Sequence, residues 1–241
     1  NKIFIMLYLG WDIGIKNLAY CIIEVKDNKE TIKELNIINL INEDKLCCDF
    51  KHNNGNICKG KVEYKDINSK NYCTKHYKEY KNDKSLKLKK IKVKKVKDYS
   101  LNEIGLSLFS ELDKNPLFLK CENIIIENQP VLKNPTMKSI QMMLYSYFLI
   151  KNKNISNILL VNASNKLKVY KGKLTEEDKI LMNNIKDKYK KNKNLSIIHT
   201  KYYLSENKEF YDFFMNNKKK DDLADAYLMC KYFINKINNT K

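Results

Sequence analysis

The sequence predicts an α/β domain on a mixed sheet, interrupted by a small insertion of a different character. Three observations predict it. The first forty or so residues form three strand-length apolar blocks. Two later short apolar runs, NIIIE and NILLV, alternate with segments of helical periodicity. Between residues 43 and 82 apolar periodicity stops, and Cys, His, Asn and Gly take its place. The order β-β-β, insertion, α-β-α-β, helices fits a mixed sheet covered by helices. It divides the chain into a main domain, 1–42 with 83–241, and an inserted module, 43–82.

KIFIMLYLGWDIG and NLAYCIIEV read as two strands joined by a glycine turn, and TIKELNIINL (Thr31 to Leu40) as a third. After the insertion comes a run with eight lysines between Lys84 and Lys97, either a solvated linker or a phosphate-contacting arm. Ser100 with Glu103 forms a capping box that opens a helix, with Ile104, Leu106, Leu108, Phe109 and Leu112 as its buried face. ENIIIENQP has the continuous apolar run of a central strand. The next helix starts near Pro135. It carries Met137, Ile140, Met142, Met143, Leu144, Tyr147 and Phe148 on more than one face, which suggests a contact between two copies of the chain. ISNILLVNAS is another buried strand, 174–217 read as charged amphipathic helices, and DDLADAYLMCKYFINKI is the last helix. His199 is expected to be a structural helix residue.

Charge narrows the partner. The 241 residues hold 46 lysines and no arginine against 28 acids, a net of +18. Such an excess favours a polyanion, most simply nucleic acid. Without arginine the commonest base-specific contact, to guanine, is unavailable, which tilts binding toward phosphate and shape. No apolar span of ~18 residues that could cross a bilayer is visible, and NKIFIMLYLGW lacks the small-residue cleavage site of a secretory leader. The seven cysteines are therefore not expected to form a disulfide framework. Cys21, Cys121 and Cys230 stand singly among apolar residues and read as core.

Four acids are awkward as surface residues. Asp12 ends the first strand and Glu127 ends NIIIE, while Asp222 and Asp225 lie three apart on one face of the opening turn of the last helix. Carboxylates gathered in this way repel one another unless cations neutralise them, and hard divalent ions such as Mg²⁺ suit oxygen ligands. Two such ions ~4 Å apart can activate a water and stabilise the leaving oxygen of a phosphodiester. A basic chain around an acidic metal site is what a nuclease needs.

LGWDIGIKNLAYCIIE, IIIENQPVLKNPTMKSIQMMLYSYF and KKKDDLADAYL, in that order, resemble the RuvC-like Holliday junction resolvases of the poxvirus and mitochondrial type. The resemblance implies a ribonuclease H-like fold with a mixed five-stranded sheet, a homodimer, and metal-dependent nicking of two opposed strands at a four-way DNA junction. The family's catalytic acids then fall on Asp12, Glu127, Asp222 and Asp225, holding two Mg²⁺ or Mn²⁺ per site. Asp221 replaces Asp222 if the helix starts a residue earlier. Lys16, Lys133, Lys138 and Lys166, near the motif ends, are candidates for DNA contact. A viral member would act in the cytoplasm of an infected cell, and an organelle is the alternative location. The competing functions are a ribonuclease H-like nuclease acting on flaps, forks or RNA–DNA hybrids, and a non-catalytic zinc-bearing nucleic-acid scaffold.

Cys48, Cys58, Cys73 and His76 form a C-x9-C-x14-C-x2-H pattern, whose soft ligands suit one tetrahedral Zn²⁺. Cys47 is the alternative to Cys48, and His52 is a reserve ligand. A structural zinc would also supply folding free energy to some forty residues with little apolar content.

Overall fold

A computed structural model describes residues 5–41, 47–91, 94–132, 134–170 and 172–238. Packing divides the chain into two units, Asn1–Ile41 with Ser100–Lys241, and Asn42–Tyr99.

In the first unit β1 (Ile5–Asp12), β2 (Leu18–Lys26) and β3 (Lys29–Ile38) form an antiparallel meander. The β2–β3 turn is Asp27-Asn28, both with positive φ (49° and 61°), the geometry that matches strand twist in a two-residue hairpin. That turn starts the third strand two residues before the expected Thr31.

The second unit holds β4 (Val62–Lys65), β5 (Asn71–Cys73), α1 (Thr74–Tyr80) and β6 (Lys89–Lys90), with a small antiparallel sheet in the order β5-β4-β6. Its extent differs from the expected 43–82. Ladder bonds from β6 to β4 draw part of the lysine-rich run into this unit.

The first unit resumes at α2 (Leu101–Asp113), where Glu103 N–H donates to Ser100 Oγ (3.2 Å) and Ser100 N–H to Glu103 Oε2 (2.8 Å). Then come β7 (Asn123–Glu127), α3 (Pro135–Lys151), β8 (Asn157–Val161), a 3-10 turn Ala163–Lys168, α4 (Glu176–Asn183), α5 (Lys188–Leu204), α6 (Lys208–Asn216) and α7 (Lys220–Asn238). The sheet order is β3-β2-β1-β7-β8, with β1, β7 and β8 mutually parallel. This is the mixed five-stranded sheet that the resemblance implies.

Alternation along β1 sorts the core. Leu9 and Trp11 point to one face, where Trp11 packs edge-on to Phe118 (5.1 Å) and close to Tyr20 (5.2 Å). Tyr8 and Gly10 point to the other, which α7 covers through Leu223, Ala226, Tyr227 and Cys230. Gly10 lets α7 approach, because a Cβ there would lie 2.6 Å from the Ala226 carbonyl and 2.8 Å from Cys230 Sγ. Cys21, Cys121 and Cys230 are fully buried, as core residues should be.

On α2 the buried side is Ile104, Gly105, Leu108 and Leu112. Leu106, 64% exposed, and Phe109, 37% exposed, leave the expected face. Leu106 is two residues, about 200°, from Ile104, and Phe109 stacks on Tyr147 of α3 instead (6.0 Å, 15°).

Candidate active site and cysteine–histidine cluster

The alternation that sorts the core also aims the acids. Asp12 lies two residues beyond Gly10, so it shares the α7 face. Glu127 lies two beyond Ile125, the parallel partner of Gly10, and leaves the sheet on that same face. α7 opens there, bringing Asp222 and Asp225. All four acids line one cleft of about 390 Å³, with Gln129, Lys166 and the α5 residues Tyr189, Lys193 and Ser196.

The cleft holds its carboxyls in a costly state. Burial raises Asp12 well above the ordinary carboxylate range, aided by the charge of Glu127, a hydrogen bond between those two carboxyls and the charge of Asp225. Asp225 is raised by burial, against the opposing pull of Lys166. Burial, then the neighbouring Asp221, pushes Asp222 up to about 6. Asp222 Oδ2 and Asp225 Oδ1 are buried without a hydrogen-bond partner among the described residues. Unpaired acceptors in a cleft of acids are expensive, and a hard cation with oxygen preference is the species that fits them.

The two candidates for the helix acid separate. Asp222 faces the cleft, while Asp221 is paired with Lys193 of α5 at 2.5 Å. Lys166 sits on the 3-10 turn after β8, buried and salt-bridged to Asp225, so it belongs to the cleft rather than to the outer surface. Lys16 is exposed in the β1–β2 loop. Lys138 is half-buried in the first turns of α3 and donates to Asn128 Oδ1 (3.1 Å) and Gln141 Oε1 (3.2 Å). Lys133 lies outside the described residues.

Two features escape a motif search. Gln141 of α3 is fully buried and its Oε1 accepts from the Gln129 N–H (2.7 Å), while Gln129 Nε2 donates to Glu127 Oε2 (2.7 Å). The second is the α5 stripe Tyr189, Asn192, Lys193 and Ser196, which lines the cleft at i, i+3, i+4 and i+7. That helical spacing was the available signal. His199 on the same helix is buried beside Tyr170 (4.8 Å), and burial lowers its pKa.

In the second unit Cys48, Cys58, Cys73 and His76 bring their ligand atoms within 4.8 Å of one another. Backbone bonds fold the knuckle: Cys48 N–H donates to the Gly60 carbonyl (3.3 Å) and Cys58 N–H to the Phe50 carbonyl (2.8 Å). Gly60 N–H donates to Cys58 Sγ (3.3 Å). Cys73 ends β5 and His76 follows on α1, with Nδ1 3.3 Å from Cys48 Sγ and 3.4 Å from Cys73 Sγ. Sulfur and nitrogen bound to one tetrahedral zinc would stand about 3.5 Å apart, so the donor set fits that ion. Burial raises the Cys48 thiol. Burial also opposes ionisation of Cys73, but N–H donors from His76 and Lys75 outweigh it and lower the thiol below its usual value. Cys47 is exposed and outside the cluster. His52 also stands outside it, with its ring 5.5 Å from that of His76, while Phe50 stacks on His76 (3.8 Å, 18°). Among the described residues this is the one Cys, His or acidic group gathered so tightly.

Sheet order defines an α/β protein of ribonuclease H-like fold, and the strand-end acids and helix-borne acid pair give it a cleft whose chemistry suits divalent cations. The chain is 32% identical to protein L451 of Acanthamoeba polyphaga mimivirus, over 95% of this chain and 74% of that one, and it belongs to the same family. No family model matches the chain. Among solved structures, the fowlpox virus resolvase in complex with Holliday junction DNA aligns with a TM-score of 0.50 at 14% identity, covering 96% of this chain and 99% of that one. The fowlpox virus Holliday junction resolvase in a second structure gives the same figures. The yeast mitochondrial Holliday junction resolvase Ydc2 aligns with a TM-score of 0.48 at 17% identity, covering 94% of this chain and 78% of that one. The fowlpox comparison shows a shared fold. Among the described residues no helix is long and apolar enough to cross a membrane.

Proposed function

We propose that this protein is a metal-dependent endonuclease that resolves four-way DNA junctions by nicking two opposed strands. The observation that carries this reading is the convergence of Asp12, Glu127, Asp222 and Asp225 on one cleft, with unpartnered buried oxygens on the last two. The shared fold with a resolvase whose structure contains Holliday junction DNA supports the substrate. These four acids would hold two Mg²⁺ or Mn²⁺, which when bound supply an activated water and charge stabilisation at the leaving oxygen. The chain's own residues do the rest. Lys166 compensates the acids from inside the cleft, Gln129 orients Glu127, and Lys16 and Lys138, with Lys133, meet phosphates along the strand.

Paired cuts call for two sites related by a two-fold axis. The exposed α3 stripe of Met142, Ser146, Leu149 and Ile150, three of them large apolar residues, is the face assigned to a second copy of the chain. Cys48, Cys58, Cys73 and His76 hold one structural Zn²⁺ in the second unit. The viral relative supports action inside an infected host cell.

The test is cleavage in Mg²⁺ of a four-way junction, a fork, a flap and an RNA–DNA hybrid. Paired nicks in the junction within one encounter are expected. Preferential cutting of the hybrid or the flap, or single uncoupled nicks by a monomer, would replace this reading.

A further inference from the structure

The second unit, Asn42–Tyr99, carries 17 lysines against 8 acids, which is half of the chain's net +18. Its charge is also locally organised. A cleft of about 450 Å³ is lined by Lys65, Lys87, Lys89 and Lys90, with Asp66 as its one acid. Asp66 is turned to other partners, since Oδ1 accepts the Lys70 N–H (2.8 Å) and Oδ2 accepts the Tyr72 hydroxyl (3.1 Å), and its single charge offsets only one of the four lysines. The four lysines are exposed, and none makes an ion pair among the described residues.

The register makes the arrangement costly. Lys65 of β4 lies directly opposite Lys89 of β6, so both side chains leave the same face of the ladder. Like charges in that position destabilise a sheet. Lys87, just before β6, takes a left-handed backbone (φ 44°), itself unfavourable for a side-chain-bearing residue. Lysine on an edge strand can serve merely to block strand addition, but that purpose does not need a second lysine across the ladder or two more around the same cleft. A bound anion would relieve both the repulsion and the absence of partners.

We infer that the Lys65–Lys89 cleft is a seat for the phosphate backbone of duplex DNA, gripping an arm of the substrate without reading its sequence. The assignment rests on the nuclease reading for its choice of polyanion. Lysine suits it, because it meets phosphate as a point charge and adds no base specificity. The zinc cluster is the scaffold that holds the strands of the seat in place.

The experiment uses the full chain, without divalent metal so that nothing is cut, and measures affinity for a linear duplex and a four-way junction across salt concentrations. Lys65→Ala/Lys89→Ala should bind both on the order of tenfold more weakly near 0.15 M salt, with a log–log salt slope shallower by about 2. Lys65→Arg/Lys89→Arg should restore both values. A control pair, Lys114→Ala/Lys179→Ala, removes equal charge from lysines already engaged by Glu111 and Glu176 and should change them far less. Zinc content and melting temperature show that each variant is folded. The inference is overturned if the alanine pair binds like wild type or no worse than the control. It is also overturned if tripolyphosphate displaces DNA at equal phosphate concentration, since the seat would then be a small-anion site. A protein that cuts junctions but shows no lysine effect sinks this inference alone. One that cuts no branched DNA but shows the effect sinks the nuclease reading alone.

Discussion

Lys166 Nζ is paired with Asp225 Oδ2, and each side chain is only 11% exposed. Burial opposes the charge on Lys166, but Asp225, Asp12 and Glu127 together raise its pKa above the ordinary 10.5. A raised lysine pKa means that the stabilisation is present in full below about 10.5 and is lost as pH rises through the folded value. It is therefore complete at neutral pH. Lys166→Met should destabilise the metal-free protein by about 3 kcal/mol, because it leaves a buried acid uncompensated. Denaturant unfolding in chelator measures the loss, and saturating Mg²⁺ should recover much of it. A variant as stable as wild type in chelator would show that the pair is incidental.

Asp12→Asn keeps the size of the side chain and removes one anionic ligand from a buried corner of the cleft. Cleavage should vanish while junction binding stays equal or tightens, because one charge that repels phosphate is gone. Gel-shift and nicking assays on the same preparation separate the two effects. Near-normal nicking in Mg²⁺ would dispose of the metal role for Asp12.

Asp222 titrates at about 6, above the usual carboxylate value. The protonated form is the one burial favours, so its contribution to folding stability is full below pH ~4 and is lost as pH rises through about 6. Metal binding needs the opposite form. At limiting Mg²⁺ the nicking rate should rise as pH passes through about 6, and tenfold more Mg²⁺ should move the midpoint to lower pH. A midpoint indifferent to metal concentration would assign the limb to another group.

Gly10→Ala tests how the last helix is seated. The added methyl would meet the Ala226 carbonyl and Cys230 Sγ well inside contact distance, and overpacking of this kind costs about 1–3 kcal/mol. α7 must move away from β1, carrying Asp222 and Asp225 away from Asp12. Nicking should fall more steeply than the melting temperature alone would predict. Wild-type activity at full occupancy of metal would show that the acids tolerate the shift.

Purified protein should contain one equivalent of zinc. Gly60→Ala should reduce it, because the new Cβ would stand 2.9 Å from Cys73 Cβ, 3.0 Å from its Sγ and 3.2 Å from Cys58 Sγ. Cys73→Ser should abolish it and loosen the second unit while leaving the first folded, as hydrogen exchange would read. Absence of zinc from the wild-type protein, with both variants unchanged, would make the cluster an accident of four reduced side chains.

What the sequence discloses here is local. Asp12, Glu127 and the Asp222–Asp225 pair are legible because strand alternation and helical spacing act within a few residues. The Cys–His spacing is legible because zinc chemistry constrains it. The burial of Lys166 is not legible: ASNKLK has no periodicity, and it is the approach of α7 and α5 that makes that lysine internal. β6 is hidden for a related reason, since a two-residue strand of lysines is defined by its partner Tyr64-Lys65 rather than by its own composition. Phe109 looks apolar and therefore inward, yet a ring across from it on α3 satisfies it at the surface.

The link from the buried Gln141 of α3 through Gln129 to Glu127 ties one carboxylate to the helical core. A carboxylate so braced is held back from following the size of the ion it meets. Mg²⁺ asks for oxygens at 2.0–2.1 Å in a strict octahedron, whereas Ca²⁺ takes more ligands at 2.3–2.6 Å. The brace therefore makes the cleft a gauge of ionic radius, in which calcium is seated poorly and should occupy the acids without supporting the cut.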